Sequence, residues 1–366
     1  MKIKNIITVF LLALILGVFC IFAILKPQTR FSDSERRYLE KFPELSIKTV
    51  LSGEFMKEFE GYTLDQFPLR DIFRGIKAFS EQNIFLKKDN NKVFKAKGHL
   101  SKIEYPLNEN MIDNAVDKFN KINDKFLDVS DNIYFSLIPD KNYFLATDSG
   151  YLHIDYNQMS EYMKNKLPYM EHIDLKENLS IEDYYYTDTH WKQENLIDVA
   201  RIFADKLNIE IPSHYTENQL TEPFYGVYCG QYALPVRSDT ITYLTNDIIN
   251  EFKVTNINDL GKPEEGVVYD LTKAKSKDPY EIFLSGAKAV QIIENPTVAN
   301  DRELIVFRDS FGASLLPLIA QGYSKTTLID IRYVYSDAIG YFVNFKDADV
   351  LFLYSSIVLN NSSSFR

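Results

Sequence analysis

Three residues in this chain have the types and the spacing that chemistry requires: an aspartate, a histidine and a serine. Asp188 and His190 lie two positions apart in the run Tyr186-Thr187-Asp188-Thr189-His190-Trp191. Side chains two apart in an extended or turn segment point the same way, so the carboxylate can orient the imidazole and stabilise its charged form. Such a pair makes a serine hydroxyl nucleophilic by taking its proton. With Ser310 supplying the hydroxyl, the sequence predicts a Ser-His-Asp triad.

Ser310 lies where a hydroxyl could be used in this way. It follows an apolar run that ends at Phe307 and precedes a predicted helix from Phe311. Backbone N–H groups at a helix start are unpaired and would stabilise an oxyanion formed beside Ser310. Asp309 and Ser310 are also good N-cap residues, so this segment by itself permits either role.

The same region allows other uses of its residues. Asp188 and His190 could bind a metal, but a third ligand at short spacing is missing, and we predict neither a metal nor a cofactor. Trp191, the only tryptophan, would be a rigid wall of a substrate site or an anchor of the core. Lys141 follows a strand-like run and shares a polar turn with Asp140, where α/β sheets place ligand-binding groups; the competing interpretation is a solvated turn.

The segments around Asp188 and Ser310 resemble the DHHW proteins of Gram-positive bacteria, relatives of the SGNH-like proteins that acetylate alginate. The resemblance covers most of the chain after its N-terminal apolar stretch, including residues 65–71, 224–226 and 280–286. It implies an O-acetyltransferase or an acetylesterase acting on an extracellular polysaccharide, with Ser310 as nucleophile, His190 as base and Asp188 as its orienter. It also implies a multipass membrane protein that supplies acetyl groups. A non-catalytic glycan-binding assembly protein is the alternative from a different class.

Several positions depart from the family pattern. The second histidine of the family name is Thr189 here, as in the alginate relatives, and Arg308 stands where ordinary SGNH enzymes have glycine before Asp-Ser. The segment that resembles the source of an oxyanion asparagine has Ala287, which offers no side-chain donor. The N–H groups of Ser310 and Gly286 and the guanidinium of Arg308 are therefore the candidates for an oxyanion site.

Apolar runs alternate with helical patterns toward the end of the chain. Strand patterns at residues 304–307, 326–330 and 350–354 are separated by helical patterns at 311–320 and 336–345. This alternation predicts a parallel sheet covered on both faces. With the resemblance, it predicts an α/β fold, an SGNH-hydrolase-like three-layer sandwich around a mostly parallel sheet. Residues 211–300, where short Tyr- and Thr-rich runs meet turn residues, predict a mixed or β-rich insertion.

An apolar segment from Ile6 to Leu25 is long enough to span a bilayer as a helix. Lys2 and Lys4 precede it, which predicts a cytoplasmic tail. We therefore expect residues 1–27 to form the tail and a transmembrane anchor, and residues 28–366 to form an extracytoplasmic domain at the cell membrane. A cleaved signal peptide is the alternative, although residues 23–30 show no small-x-small cleavage site.

Charge and cysteine content limit the function classes further. The formal net charge is −10. Four of the basic residues lie before Phe31, so the part of the chain after them is more acidic still. This argues against nucleic acid or anionic lipid as a ligand. Cys229 is the only cysteine outside the apolar segment, which excludes an intrachain disulfide there, so stability must come from the hydrophobic core.

Overall fold

The computed structural model describes residues 2–32, 34–127, 132–258 and 261–366. The chain divides into two compact units. The first consists of Met1–Asn91 with Cys229–Val236, and the second consists of Lys92–Tyr228 with Arg237–Arg366. The second unit contains Asp188, His190 and Ser310.

The first unit is mainly helical. Its elements are α1 (Lys2–Leu25), β1 (Phe31–Ser32), β2 (Arg37–Tyr38), α2 (Ile47–Leu51), α3 (Glu54–Asp65) and α4 (Arg70–Phe79), which continues into a π-helical turn at Ser80–Ile84. Within α1, Ile3–Leu25 reaches a mean hydropathy of 3.1 and is long enough to cross a membrane. The break between α3 and α4 falls at Pro68, as its helix-breaking ring predicts. Asp65, at the end of α3, forms ion pairs with Arg37 (2.5 Å) and Arg70 (3.5 Å).

The second unit is an α/β structure. Its helices are α5 (Glu109–Phe126), α6 (Lys141–Ser149), α7 (Tyr156–Lys166), α8 (Ile197–Leu207), α9 (Val227–Tyr232, which continues into the first unit), α10 (Asp247–Asn250), α11 (Gly312–Ile319) and α12 (Ser356–Leu359). Its strands are β3 (Val93–Ala96), β4 (His99–Lys102), β5 (Ile133–Ile138), β6 (Glu171–His172), β7 (Thr216–Gln219), β8 (Thr242–Thr245), β9 (Lys253–Ile257), β10 (Pro263–Gly266), β11 (Val290–Glu294), β12 (Glu303–Arg308), β13 (Lys325–Ile329) and β14 (Ala348–Ser355).

Eight of these strands form one central sheet, in the order β10-β9-β11-β13-β12-β14-β5-β6. The five strands from β13 to β6 are parallel, and β11, β9 and β10 add an antiparallel edge. β12 lies between β13 and β14, where Val306 is in register with Leu328 and Leu351. The carboxyl ends of these parallel strands meet at one edge of the sheet, which is where open α/β sheets bind ligands.

Apolar side chains cover both faces of this sheet. Leu304 and Val306 belong to a core with residues of α8 and α11, whereas Ile305 and Phe307 belong to a second core with residues of α5 and α7. Successive strand residues point to opposite faces, so a strand buried on both sides requires an uninterrupted apolar run such as 304–307. The result is a three-layer sandwich of helices, sheet and helices.

The predicted α/β fold class with a mostly parallel central sheet is confirmed. The predicted helix at residues 336–345 is wrong in type and length, because only Ser336–Tyr341 is helical and it is a 3-10 helix. The competing interpretation of Asp140 and Lys141 as a solvated turn is also wrong, since both side chains are buried. Within residues 211–300, β9, β10 and β11 belong to the central sheet, while β7 and β8 form a separate pair. An insertion there, and a division at residues 27 and 28, stay predictions.

Candidate active site

The loop that carries Asp188 and His190 is closed at its base like a hairpin. Tyr184 and Trp191 form an antiparallel bridge, and the N–H of Tyr185 donates to the carbonyl of His190 at 3.1 Å. The four residues between these pairs must turn sharply. The turn brings two polar side chains, at positions 188 and 190, to the same side.

Asp188, His190 and Ser310 are hydrogen-bonded in series. The Oδ1 atom of Asp188 lies 2.6 Å from Nδ1 of His190, and Nε2 of His190 lies 2.8 Å from Oγ of Ser310. Asp188 Oδ1 also accepts from the backbone N–H of His190 at 3.1 Å. Asp188 is buried and Ser310 is partly exposed, so the series runs from the interior to an accessible hydroxyl. The structure therefore brings together the three residues predicted to form the triad.

The second carboxylate oxygen of Asp188 is held by the start of α9. Oδ2 accepts from the backbone N–H of Val227 at 2.8 Å. Gly226 lies so close that a Cβ atom there would be 2.4 Å from Asp188. Real Cβ atoms do not approach other atoms this closely, so position 226 must be glycine for α9 to reach this carboxylate.

Asp239 supports the loop from the other side. Its carboxylate is buried and accepts from the backbone N–H groups of Tyr186 (2.7 Å) and Thr187 (2.8 Å). The Thr187 hydroxyl also donates to Asp239 and accepts from the N–H of Gly226 at 2.8 Å. Charge-assisted bonds of this kind are short and strong, so Asp239 fixes the turn that presents Asp188.

Lys141 reaches the same loop through its ammonium group. The residue is only 1% exposed. Its Nζ atom lies 2.7 Å from the Tyr185 carbonyl, 3.2 Å from the Tyr186 carbonyl and 3.1 Å from the Asp188 carbonyl. It also bonds to the carbonyl of Leu100 in β4. These contacts place Lys141 behind the candidate triad, where it holds the backbone rather than reaching toward a substrate.

Ser310 is positioned by the end of β12 and the start of α11. The neighbouring Asp309 is buried, and its carboxylate accepts from Phe311 N (3.0 Å), Ser355 N (2.8 Å) and Ser355 Oγ (2.6 Å). Asp309 thus joins the ends of β12 and β14 and fixes the turn that carries Ser310. The Ser310 hydroxyl makes its hydrogen bond with His190, not with a helix N–H, so the N-cap alternative does not describe it.

Tyr280 holds the plane of the imidazole. Its ring stacks on His190 with centroids 3.9 Å apart and planes 9° apart, and its hydroxyl donates to Ser314 Oγ at 2.8 Å. Burial raises the pKa of this phenol above its ordinary value, so the hydroxyl remains a donor.

Trp191 is fully buried and donates from Nε1 to the Phe311 carbonyl and to Ser314, both at 3.0 Å. The structure therefore places Trp191 in the core and not in a substrate site.

The oxyanion candidates differ in what surrounds them. In the part of the chain that the structure describes, the Ser310 N–H has no hydrogen-bond acceptor, and it lies at the start of α11. Arg308 is buried, and its guanidinium donates to Gln291 Oε1 (2.6 Å) and to the Asp309 carbonyl (3.3 Å). The Gly286 N–H donates to the Phe283 carbonyl at 3.1 Å, which closes a local turn. Ser310 N–H is thus the candidate whose donor is open.

Comparison with solved structures shows which known proteins share this fold. A DHHW family protein from Eubacterium siraeum has a TM-score of 0.61 and 20% identity, over 75% of this chain and 95% of that chain. Bacillus cereus PatB1, solved with a sulfonyl adduct, has a TM-score of 0.59 and 19% identity, over 73% and 97%. The chain has the fold of these two proteins. The O-acetyltransferase domain of Pseudomonas putida AlgJ is a more distant match, with a TM-score of 0.43 and 12% identity over 73% and 92%. No protein-family model matches the chain, and no curated protein does.

The sequence did not predict two residues that support the site, Asp239 and Tyr280. Asp239 follows the run Val236-Arg237-Ser238, and nothing in its spacing relates it to Asp188. Tyr280 lies inside a segment on which the resemblance depends, and that was the only signal available for it. No group of three or more His, Cys, Asp or Glu side chains that could hold a metal ion occurs in residues 2–32, 34–127, 132–258 or 261–366.

Proposed function

We propose that this protein is an extracytoplasmic O-acyltransferase that carries an acetyl group on Ser310 and passes it to a hydroxyl of a cell-surface or secreted polysaccharide. The observation that carries the proposal is the hydrogen-bonded series from Asp188 through His190 to Ser310, at 2.6 Å and 2.8 Å. These distances are within the reach that a general base and its nucleophile require. The substrate class and the transfer reaction come from the sequence resemblance to the proteins that acetylate alginate.

The chemistry follows from the positions of the atoms. Nε2 of His190 takes the proton of Ser310 as Oγ attacks the acetyl carbonyl, and Asp188 stabilises the imidazolium. The Ser310 N–H, with the partial positive charge at the start of α11, would bind the oxyanion. His190 then gives its proton to the leaving group. In the second half, His190 takes a proton from a sugar hydroxyl as that oxygen attacks the acetyl-serine. His190 then returns the proton to Oγ of Ser310 as its bond to the acetyl group breaks.

Water in place of the sugar hydroxyl would make the same site an acetylesterase. Both reactions pass through the same acetyl-serine, so the site geometry supports either. The competing scaffold function does not require an imidazole stacked, hydrogen-bonded at both nitrogens and directed at a partly exposed serine. That degree of arrangement favours catalysis over glycan binding alone.

The proposed location rests on α1. A helix this apolar, preceded by Lys2 and Lys4, would anchor the chain in the cell membrane with its tail in the cytoplasm. The active site would then face the cell exterior, where acetyl donors made inside the cell do not reach. We therefore propose that a multipass membrane protein delivers the acetyl group, as the resemblance implies.

The test uses the purified full-length chain and a chromogenic acetyl ester. We expect turnover by the wild type, and a loss of about 10³-fold or more in both Ser310→Ala and His190→Ala. Ser363→Ala, at an exposed position near the C-terminus, is the control and should be unaffected. Added oligosaccharide should become acetylated at the expense of free acetate; release of acetate alone would identify an esterase.

A sulfonyl fluoride gives a second readout that needs no turnover. We expect one adduct per chain, located on Ser310 by peptide mass, and no adduct in His190→Ala, because the serine is then not activated. A wild type that neither turns over an ester nor reacts with the sulfonyl fluoride, yet binds glycan, would establish the scaffold function instead.

A further inference from the structure

Helix α4 in the first unit has its apolar side facing out. Leu69, just before the helix, and Ile72, Phe73, Ile76 and Phe79 within it are 43–58% exposed; we call these five residues the α4 face. Their spacing of three and four residues places them on one stripe of the helix. In a soluble domain such a stripe faces the core.

The opposite side of α4 is the one that packs against protein. Ala78 is fully buried, and Gly75 faces the backbone of Ala233, where an added Cβ would be 3.5 Å from the carbonyl oxygen. Arg74 donates to the carbonyl of Gly230. The helix therefore packs through small and charged residues on this side and leaves its large apolar side chains about half exposed, the reverse of the usual arrangement.

The α4 face meets the helix that is long enough to cross a membrane. Phe19 of α1 stacks on Phe67 with centroids 5.6 Å apart and planes 11° apart, and its ring lies 5.9 Å from that of Phe73 in the α4 face. Phe19 precedes the end of α1 at Leu25 by six residues, or about 9 Å at the rise of an α-helix. An amphipathic helix in a membrane interface buries its apolar side to about that depth, 5–10 Å.

The charges of α4 do not explain the exposed stripe. Arg70 bonds to Glu35, Arg74 pairs with Asp71 at 3.2 Å, and Lys77 lies 3.8 Å from Glu81. Because these cations are paired within the unit, they offer little attraction for anionic headgroups. The exposed apolar surface continues beyond the helix at Ile84, Phe85 and Leu86. Whatever covers the α4 face must therefore be apolar.

We propose that α4 lies in the membrane interface beside α1, with the α4 face buried among lipid acyl chains. This proposal rests on the membrane anchor of the proposed function. Two membrane contacts restrain the first unit more than one would, because a single helix leaves a tethered unit free to tilt and rotate. The attachment depends on apolar burial, so it should be the same in zwitterionic and in anionic lipid.

The test is quenching of tryptophan fluorescence in the full-length chain reconstituted in phosphatidylcholine vesicles, with and without bromine on the acyl chains. Wild type gives the baseline of Trp191, the only natural tryptophan. We expect the added emission of Ile76→Trp to fall about twofold or more in brominated lipid, as for a side chain within acyl chains. Glu58→Trp, on the exposed charged side of α3, is the matched control and should change little. Replacing part of the lipid by phosphatidylglycerol should leave these results unchanged.

A third variant separates failure of this proposal from failure of the anchor. Leu12→Trp places the probe in the middle of α1. If Leu12→Trp is quenched but Ile76→Trp is not, the anchor stands and the α4 proposal is overturned; a second copy of the chain covering the α4 face would give this result. If neither is quenched, both the anchor and the α4 proposal fall.

Discussion

His190 is held on three sides before any substrate is bound. Asp188 lies at Nδ1, Ser310 at Nε2, and the ring of Tyr280 covers one face. A carboxylate beside Nδ1 favours the tautomer with the proton on that nitrogen, which leaves Nε2 as the acceptor for the serine proton. These contacts all lie within the second unit, and they are the ones that the proposed general-base chemistry requires.

Asp239 should affect the reaction without touching the substrate. The N–H groups of Tyr186 and Thr187 donate to different oxygens of Asp239, so in Asp239→Asn the amide NH2 faces one of them, and the loop carrying Asp188 must shift. We expect kcat for a chromogenic acetyl ester to fall about 10- to 100-fold with little change in KM, because misplacement of a catalytic group costs factors of this size. Steady-state kinetics measures both constants.

A surface aspartate provides the matched control for this change. Asp198, exposed on α8, pairs with Arg201 at 2.6 Å, and Asp198→Asn should leave kcat unchanged. The rate of sulfonyl adduct formation at Ser310 should fall in Asp239→Asn by a factor similar to that for kcat. Wild-type kcat in Asp239→Asn would show that the carboxylate does not position the loop.

At the level of elements, the sequence identifies strands better than it identifies buried polar residues. The continuous apolar runs of β12 and β14 are typical of strands covered on both faces, and both strands were predicted. Asp140 and Lys141 look like any solvated turn at the end of a strand. Lys141 bonds to backbone carbonyls some 45 positions later in the chain, and Asp140 accepts from the hydroxyl of Ser356, 216 positions later. No local pattern encodes contacts at such separations.

Lys141→Met tests whether this buried ammonium stabilises the second unit. Methionine keeps the length and apolar stem, but the carbonyls of Tyr185 and Asp188 lose a donor. We expect the free energy of unfolding to fall by about 3 kcal/mol, as for buried polar groups left unpaired. Denaturant unfolding followed by Trp191 fluorescence reports on this unit alone, because the chain has no other tryptophan. Lys206→Met, at an exposed pair with Glu171, should change the free energy of unfolding far less, because solvent screens such a pair. Equal effects of the two variants would contradict the prediction.

At the level of the whole molecule, distance along the chain decides which parts of the site can be predicted. Asp188 and His190 are two residues apart, so their pairing is local and could be predicted from the sequence. Asp239 and Tyr280 reach the same site from segments some 50 and 90 residues further on, and their contacts exist only in the folded chain. The α4 face was missed for a different reason, since an apolar stripe predicts a helix but does not tell which side of it is covered.

The stability of the second unit should depend on pH through Asp140, which caps α6 and is fully buried. Burial raises the pKa of this carboxyl to about 6, although hydrogen bonds from Asn142 N (2.7 Å) and Ser356 Oγ (3.0 Å) oppose the shift. Because the folded pKa lies above the unfolded value near 4, its contribution to stability is full below pH 4 and is lost as pH rises through 6. Two pH units correspond to about 3 kcal/mol.

Asp140→Asn should remove this dependence while keeping the cap, since asparagine caps helices about as well as aspartate. We therefore expect the variant to gain stability relative to wild type as pH rises from about 4 to about 7, by up to about 3 kcal/mol in denaturant unfolding followed by Trp191 fluorescence. Asp155→Asn makes the same replacement at the exposed N-cap of α7 and reports the effect of losing a solvated carboxylate. A difference between wild type and Asp140→Asn that stays constant across this range would mean that Asp140 remains ionised in the folded protein, so that its hydrogen bonds with Asn142 and Ser356 outweigh the cost of burial.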